Sequence, residues 1–379
     1  MKQPEIDYRA VFQALPGAVA LLTPELYFAD VNEEWLRVIN RSRGDVIGRY
    51  MPDDYADRPK HPNAAVAHNI GVSLRRVART GRAETMELQR FDPEGEVTAT
   101  GRPRAVEERF WSMTNIPVPG EDGRVALLLH RVAEVTELIQ ARAVALSLQE
   151  AMLPAPHTVR RHPVAVRYRP AVRALEVGGD WYDLVELPGD RLGVAVGDVV
   201  GHGLSAATVM GQLRSALSAA SRSCGGPACA LEILELYADS VVGAENTTVA
   251  SAVVDWDARR ITYSVAGHLP PALLRGDGTV EFLDRATDPP LGARCDLGPW
   301  PQATVPFTEG AFLVLYTDGL VERRNEDIDT GLARLAAALT RHHGAGGGGG
   351  AEALADVLLA ELLPGAGADD DTALVIVAL

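Results

Sequence analysis

Short apolar runs alternate with longer stretches of helical character through the second half of the chain. The runs are rich in Val, Ala and Leu, as buried β-strands are. The predicted strands lie at 164–169, 191–200, 248–256, 260–265, 311–316 and 373–379. The predicted helices lie at 204–222, 227–242, 330–342 and 351–363. This pattern predicts an α+β domain over residues 154–379.

The first third of the chain predicts a second, smaller α+β domain. Its predicted elements are a short amphipathic helix at 8–15 and strands at 18–22, 27–31, 109–117 and 125–132. Pro and Gly in the turn at 119–123 are typical of a β-hairpin. The sequence therefore predicts a domain with an antiparallel sheet over residues 8–133.

Residues 134–153 predict a helix that joins the two domains, since they contain neither Gly nor Pro. Apolar residues repeat there at alternating spacings of three and four, at Leu138, Ala141, Ala145, Leu148 and Met152. This heptad pattern predicts a short parallel coiled coil, and hence a homodimer. The alternative is a single helix that packs on its own domain. Pro154 ends the helix in either case.

Composition narrows the range of functions. The chain has 379 residues, 47% of them hydrophobic, and a net charge of −15, which argues against binding to nucleic acid or to an anionic membrane. No uncharged apolar run reaches the roughly 20 residues of a membrane span, and the N-terminus lacks the apolar core of a signal peptide. We therefore expect a cytoplasmic protein. Cys224, Cys229 and Cys295 lack the spacing of a zinc site or disulfide framework.

Four acidic motifs lie at the ends of predicted strands in the second domain. They read Gly178-Gly179-Asp180-Trp181-Tyr182-Asp183, Gly197-Asp198-Val199-Val200-Gly201-His202-Gly203, Thr317-Asp318-Gly319 and Asp369-Asp370-Asp371-Thr372. Carboxylates are preferred ligands of Mg²⁺ and Mn²⁺, and three adjacent ones repel each other unless a cation neutralises them. One such motif is usually a turn. Four that converge predict a two-metal centre that hydrolyses phosphate esters.

The loops of the first two motifs suit this chemistry. Glycines before Asp180 let the backbone turn without a Cβ clash. We expect Asp180 to face the site, with Asp183 in support. The Gly201-His202-Gly203 turn begins a helix, whose N-terminal N–H groups favour phosphate.

The four motifs, in this order, resemble the metal-dependent serine/threonine phosphatases (PPM, type 2C) of the bacterial SpoIIE/RsbU branch. Further stretches similar to that branch lie at 148–154, 203–207 and 266–271, so the resemblance covers residues 145–379. It implies an α-β-β-α sandwich, in which two antiparallel sheets stack face to face with helices outside. It also implies two Mn²⁺ or Mg²⁺ ions per site, which activate a water for in-line attack on phosphorus without a phospho-enzyme.

The resemblance also assigns residues, with Asp180, Asp198 and Asp318 at the catalytic centre. Asp180 would bind one metal, Asp198 would bridge both, and Asp318 and Asp369 would complete the other side. The Val199 carbonyl is a further candidate ligand, and Asp370 would lie beside the site. The candidate cofactor-binding residues are Gly179, Gly201 and His202. Whether His202 is the general acid stays open, because it follows Asp198 by four residues rather than two. His268 is interpreted as structural.

The N-terminal domain resembles a PAS sensor domain. The resemblance rests on Asp30-Val31-Asn32, on Val46-Ile47-Gly48-Arg49 and on the closing series Trp111, Asn115, Pro117, Gly123 and Val132. Residues 52–71 fit it poorly. We predict no PAS chromophore, since no Cys lies in a flavin-adduct motif and histidines such as His61 and His68 are more often ordinary surface or core residues.

Together these features predict a sensor-regulated, metal-dependent protein phosphatase. The resemblance implies that its substrate is a phosphorylated STAS-domain protein, an anti-sigma factor antagonist, and that dephosphorylation controls a sigma factor by partner switching. One alternative is a catalytically silent pseudo-phosphatase that only binds partners, although complete acidic motifs argue against it. Another is a hydrolase of small phosphoesters.

Overall fold

The computed structural model describes residues 6–56, 64–91, 109–154, 162–170, 178–294, 298–344, 349–363 and 370–379. Within these ranges, no helix is long and apolar enough to cross a membrane. The chain divides into two compact units, Met1–Gln140 and Ala141–Leu379. This division falls inside the helix Thr136–Met152, and the three-part division at 133 and 153 stays a prediction.

The N-terminal unit is a six-stranded antiparallel sheet with helices, as predicted. The strands are β1 (Ala18–Leu22), β2 (Phe28–Val31), β3 (Glu84–Thr85), β4 (Gln89–Phe91), β5 (Arg109–Pro119) and β6 (Val125–Glu134), in the order β2-β1-β6-β5-β3 with β4 also on β5. The helices are α1 (Tyr8–Gln13), α2 (Glu33–Ile39), α3 (Arg43–Val46), α4 (Met51–Ala56) and α5 (Ala64–Thr80).

Asn32 fixes the start of this sheet. Its side chain is fully buried and caps α2 by accepting a hydrogen bond from Trp35 N at 2.9 Å. The same oxygen accepts from Val19 N at 3.0 Å, and the amide donates to the Gly17 carbonyl at 2.8 Å. One residue therefore joins β1, α2 and the turn before β1, which explains why the Asp30-Val31-Asn32 segment carries information about the fold.

Helix α5 is an element that the sequence analysis did not predict. It buries Val66, Ile70, Leu74 and Val77 at helical spacing against the apolar core beneath the sheet. His68 lies exposed on this helix, whereas His61 lies outside the described residues. The helix was missed because its apolar residues are separated by basic and polar ones that make the segment read as solvent-exposed.

A buried polar chain joins α5 to the sheet. Asn115 on β5 donates to Ser73 Oγ at 2.8 Å, so its amide oxygen accepts from Nδ1 of His130, 2.6 Å away on β6. His130 is fully buried, and burial lowers its pKa to about 4. The imidazole is therefore neutral in the folded unit at physiological pH.

We expect the N-terminal unit to lose stability as the pH falls from about 6.5 to about 4. Below a pH of about 6.5 His130 becomes protonated in the unfolded state but stays neutral in the folded state. Acid therefore lowers the free energy of unfolding, by about 3 kcal/mol in total. Pulsed hydrogen exchange of peptides over β1 and β6, across a denaturant series at each pH, measures this. In His130→Gln the pH slope should be smaller; an equal slope in both proteins would contradict the assignment.

The described part of the C-terminal unit contains one six-stranded sheet and one five-stranded sheet. The strands are β7 (Val164–Arg169), β8 (Trp181–Leu187), β9 (Arg191–Asp198), β10 (Thr248–Asp255), β11 (Arg260–Ala266), β12 (Ala272–Leu274), β13 (Val280–Phe282), β14 (Thr287–Asp288), β15 (Ala303–Pro306), β16 (Phe312–Tyr316) and β17 (Thr372–Ala378). The first sheet has the order β14-β11-β10-β9-β8 with β15 on β11, and the second has the order β13-β12-β16-β17-β7. Only the short β11–β14 pair is parallel among the described strands.

Alternation along the strands builds the layers. On β9, Val194 and Val196 enter the core between the sheets, while Ala195 enters the core under α7 (Leu204–Ser223) and α8 (Pro227–Ala238). On β16, Leu313 faces the core between the sheets, and Val314 faces the core under α9 (Ile328–Gly344) and α10 (Gly350–Leu362). The predicted α-β-β-α sandwich is confirmed.

Five of the described strands of this unit were not predicted from the sequence. β8 was assigned only as an acidic motif, because Asp183 and Glu186 interrupt its apolar pattern. The others, β12 to β15, are two to four residues long, too short for a period to show.

Candidate metal centre

Three of the predicted carboxylates come together at one end of the sandwich. Asp180 directly precedes β8, Asp198 ends β9, and Asp318 begins a 3-10 turn (Asp318–Leu320) after β16. Oxygens of the three side chains lie within 4.8 Å of one another. β8 and β9 pair with Trp181 opposite Gly197, which sets Asp180 beside Asp198, and the stacked second sheet brings Asp318.

The three side chains carry more negative charge than their surroundings neutralise. Asp180 is only 3% exposed, and its Oδ2 has no hydrogen-bond partner. Burial and the neighbouring charges of Asp198 and Asp318 hold the pKa of Asp180 well above its ordinary value. Burial, followed by the Asp318 charge, raises the pKa of Asp198 to about 7, and burial with the Asp370 charge raises that of Asp318 to about 6. An unpartnered buried oxygen among clustered carboxylates suits a divalent cation.

The Gly178-Gly179 pair serves packing more than turning. A Cβ on Gly179 would lie 2.3 Å from the Val199 carbonyl oxygen, and Val199 N donates to the Gly179 carbonyl at 3.3 Å. A Cβ on Gly178 would lie 0.9 Å from Oδ2 of Asp371. The expected reason, a turn that avoids a Cβ clash, is thus replaced by close approach of two other segments.

Asp371 is the residue of the three-Asp run for which no role was predicted. It is 2% exposed, and Tyr168 Oη donates to its Oδ2 at 3.1 Å. Asp370 is exposed, accepts from Asp371 N at 2.8 Å, and lies near enough for its charge to raise the pKa of Asp318. Asp369 lies outside the described residues, so its role as a ligand stays a prediction. The signal for Asp371 was Gly178, whose missing side chain makes room for it.

Asp183, Gly201 and His202 lie outside the three-carboxylate group. Asp183 is buried on β8 and pairs with Arg214 of α7 at 3.1 Å, so it supports that helix. Gly201 has a φ of +95° and lies with His202 in the exposed loop before α7. Their predicted part in cofactor binding stays a prediction.

A cavity of about 380 Å³ opens beside Asp198 and Asp318. Its remaining walls combine acidic, polar and apolar residues, namely Thr248, Gly267, His268, Leu269, Pro270, Glu322, Glu326 and Ile328. No Arg or Lys is among the described residues that line it. The described lining therefore offers a phosphate no basic side chain, and bound cations would supply the missing positive charge.

Two family models match the chain. The model of stage II sporulation protein E, SpoIIE, matches residues 188–379, which include the strand ends at Asp198 and Asp318. The chain belongs to the SpoIIE family. A PAS fold model matches residues 12–140, so the N-terminal unit is a PAS domain, as predicted.

Similar proteins agree with this assignment. Phosphoserine phosphatase RsbP of Bacillus subtilis is 30% identical over 152 residues, 39% of this chain and 37% of that protein. Phosphoserine phosphatase RsbU of the same organism is 27% identical over 158 residues, 41% of this chain and 47% of that protein. The matched part of this SpoIIE-family chain thus spans less than half the length of either.

Solved structures share the sandwich. A Mycobacterium tuberculosis protein with RsbU and RsbW domains superposes with a TM-score of 0.52 at 32% identity, over 57% of this chain and 60% of that one. The SiaA PP2C domain of Pseudomonas aeruginosa superposes with a TM-score of 0.50 at 23% identity, over 63% of this chain and 96% of that one. The second likeness shows the fold alone.

Proposed function

We propose that this chain is a PAS-regulated, metal-dependent phosphoprotein phosphatase. The observation that carries the proposal is the group of Asp180, Asp198 and Asp318, three carboxylates within 4.8 Å that come from both sheets. A binding module has no need for buried like charges at the mouth of a cavity, because they destabilise the fold without a cation. The relatives RsbP and RsbU are named phosphoserine phosphatases.

The residues present fit two Mn²⁺ or Mg²⁺ ions. Asp180, Asp198 and Asp318 would hold them, with the Val199 carbonyl, Asp369 and Asp370 as further candidate ligands. When bound, the ions supply positive charge against the phosphoryl oxygens and lower the pKa of the attacking water. The chain itself orients these ligands at strand ends, and Leu269, Pro270 and Ile328 form the apolar part of the cavity wall.

The proposed substrate is a phosphorylated STAS-domain protein of the anti-sigma antagonist type. Phosphoserine is favoured by the names of the relatives. Its dephosphorylation would control a sigma factor by partner switching in the cytoplasm, without nucleic-acid or membrane partners. The helix Thr136–Met152, here α6, is the proposed dimer contact and the route by which the PAS domain acts on the phosphatase.

Phosphate release from a phosphorylated STAS-domain protein tests the activity. We expect release that chelation abolishes and Mn²⁺ restores. Asp318→Asn should lower the rate about 100- to 1,000-fold. It removes a proposed ligand of the cations, and the charge of those cations stabilises the transition state. Asp257→Asn is the matched control, since that carboxylate is exposed in the turn between β10 and β11.

Three results discriminate the alternatives. No release from the wild-type chain in excess Mn²⁺, with or without the PAS domain, would contradict the enzyme and favour a pseudo-phosphatase. Release from a small aryl phosphate but not from the phosphoprotein would favour a small-phosphoester hydrolase. A visible absorbance band in the purified chain would contradict the prediction of a PAS domain without chromophore.

A further inference from the structure

His268 lies at the end of the sandwich where the carboxylates meet, and both of its ring nitrogens are engaged. It is 8% exposed and follows β11 in the loop that lines the cavity. Nε2 lies 3.0 Å from the backbone oxygen of Tyr316, and Nδ1 lies 2.7 Å from Thr248 Oγ1. A carbonyl oxygen only accepts, so Nε2 carries the proton and Nδ1 accepts from the Thr248 hydroxyl. One tautomer satisfies both contacts.

These two contacts connect the strand beside Asp198 to the strand that leads to Asp318. Thr248 begins β10, and its direct partner across the ladder is Asp198. Tyr316 ends β16, two residues before Asp318. The imidazole therefore links the first sheet to the second beside the gap between those two carboxylates.

The loop that presents His268 is itself held in place. Gly267 N donates to the Asp288 carbonyl at 2.6 Å, and Tyr316 Oη donates to the Pro270 carbonyl at 3.0 Å. A Cβ on Gly267 would lie 2.3 Å from Pro290, so glycine is required for the loop to pack this closely. The imidazole is thus a rigid spacer rather than a mobile side chain.

We propose that His268 is a positioning residue, whose link from Thr248 to Tyr316 fixes the separation of Asp198 and Asp318 and so sets the affinity for divalent cations. The inference rests on the proposed metal centre. A pair of carboxylates binds a cation well only when its oxygens already lie at the coordination distance. Mutation of a residue that orients metal ligands typically weakens metal affinity about 10- to 100-fold.

His268 also lines the cavity, so a role as proton donor is the rival explanation. Its Nε2 proton is committed to the Tyr316 carbonyl and its Nδ1 lone pair to Thr248. Burial lowers the pKa of His268 to about 4, so no second proton is present at neutral pH. The ring is therefore equipped to hold two strands and not to protonate a leaving group.

Titration calorimetry of the full chain with Mn²⁺ tests the link directly, without turnover. We expect His268→Ala to weaken Mn²⁺ binding by about 10-fold or more. Thr248→Val, which removes only the hydroxyl, should weaken it several-fold, and Thr248→Ser should restore wild-type affinity. Thr262→Val is the matched control, because that threonine lies on β11 and pairs its hydroxyl with Thr304.

The phosphatase assay then separates positioning from chemistry. In both weakened variants, saturating Mn²⁺ should return the turnover number to within about threefold of wild type, with an unchanged pH profile. Unaltered Mn²⁺ affinity in His268→Ala and in Thr248→Val would overturn the inference, as would a wild-type chain that takes up no Mn²⁺. A low turnover number at saturating Mn²⁺ with an altered pH profile would assign proton donation instead. If no substrate is hydrolysed but the calorimetric pattern holds, the proposed activity fails and the link stands.

Discussion

Asp198→Asn is expected to abolish phosphate release and yet to raise the melting temperature of the metal-free protein. Asp198 ends β9, and its carboxylate lies within 4.8 Å of those of Asp180 and Asp318, so it would help to hold the ions of the proposed centre. Without metal the same carboxylate is a buried like charge. Its removal relieves repulsion of about 2 to 3 kcal/mol, which corresponds to a rise of roughly 5–10 °C for a domain of this size. Phosphate release and differential scanning fluorimetry after chelation measure the two effects.

The pH dependence of this effect has a definite sign. The folded-state pKa of Asp198 is raised to about 7 from an ordinary value of 3.8, so the folded chain holds this proton more tightly than the unfolded chain does. Below a pH of about 3.8 this carboxyl group is protonated in both states, so it leaves the free energy of unfolding independent of pH. As the pH rises from about 3.8 to about 7, the free energy of unfolding of the metal-free wild type should fall, because only the folded state still holds this proton. In Asp198→Asn the fall should be smaller.

Mn²⁺ supplies the complementary test. It should raise the melting temperature of the wild type, because a ligand that binds only the folded state stabilises it, and should have little effect on Asp198→Asn. Asp257→Asn, exposed in the turn after β10, should behave as wild type in every condition. Metal-free Asp198→Asn that melts below the wild type would contradict the reading of these carboxylates as a destabilising, cation-requiring group.

The central carboxylates were predictable because strand ends are visible in sequence. Asp198 and Asp318 each lie two residues after the last apolar residue of a run, and in a stacked sandwich such ends meet at one rim. Apolar runs predicted six of the eleven described strands of the C-terminal unit, whereas the stacking of two sheets was implied by the resemblance. The function class followed from how many motifs there are and their order rather than from any one of them.

Three features were not predictable from the sequence, because each depends on contacts between distant segments. In a run of three aspartates, only the packing of Gly178 against Asp371 shows which one is buried. Strand β8 was not predicted because an aspartate at position 183 indicates an exposed position. Its burial is possible only because it pairs with Arg214, which lies 31 residues further along the chain. His268 was assigned as structural, but its span from Thr248 to Tyr316 requires the two sheets to be stacked first.

Gly319→Ala is expected to be among the most damaging small substitutions in this chain. A Cβ on Gly319 would lie 2.0 Å from the backbone oxygen of Asp371 and 2.7 Å from Thr372 Oγ1. That backbone cannot retreat, because β17 is held next to it by Thr317 N, which donates to the Ala373 carbonyl at 3.0 Å, and by Ala373 N, which donates to Thr317 Oγ1 at 2.8 Å. The Asp318–Leu320 turn must move instead, and Asp318 moves with it.

The expected cost is about 3 kcal/mol or more, which lowers the melting temperature by roughly 6–12 °C. Mn²⁺ affinity should fall as well, because the displaced residue is a candidate ligand. Gly225→Ala is the matched control, since nothing lies within 4 Å of its Cβ position and its φ is not positive; it should change stability by less than about 0.5 kcal/mol. Scanning fluorimetry with and without Mn²⁺ compares the two. Equal melting temperatures for the two variants would mean that β17 yields, and that the position of Asp318 does not depend on close contact between this turn and that strand.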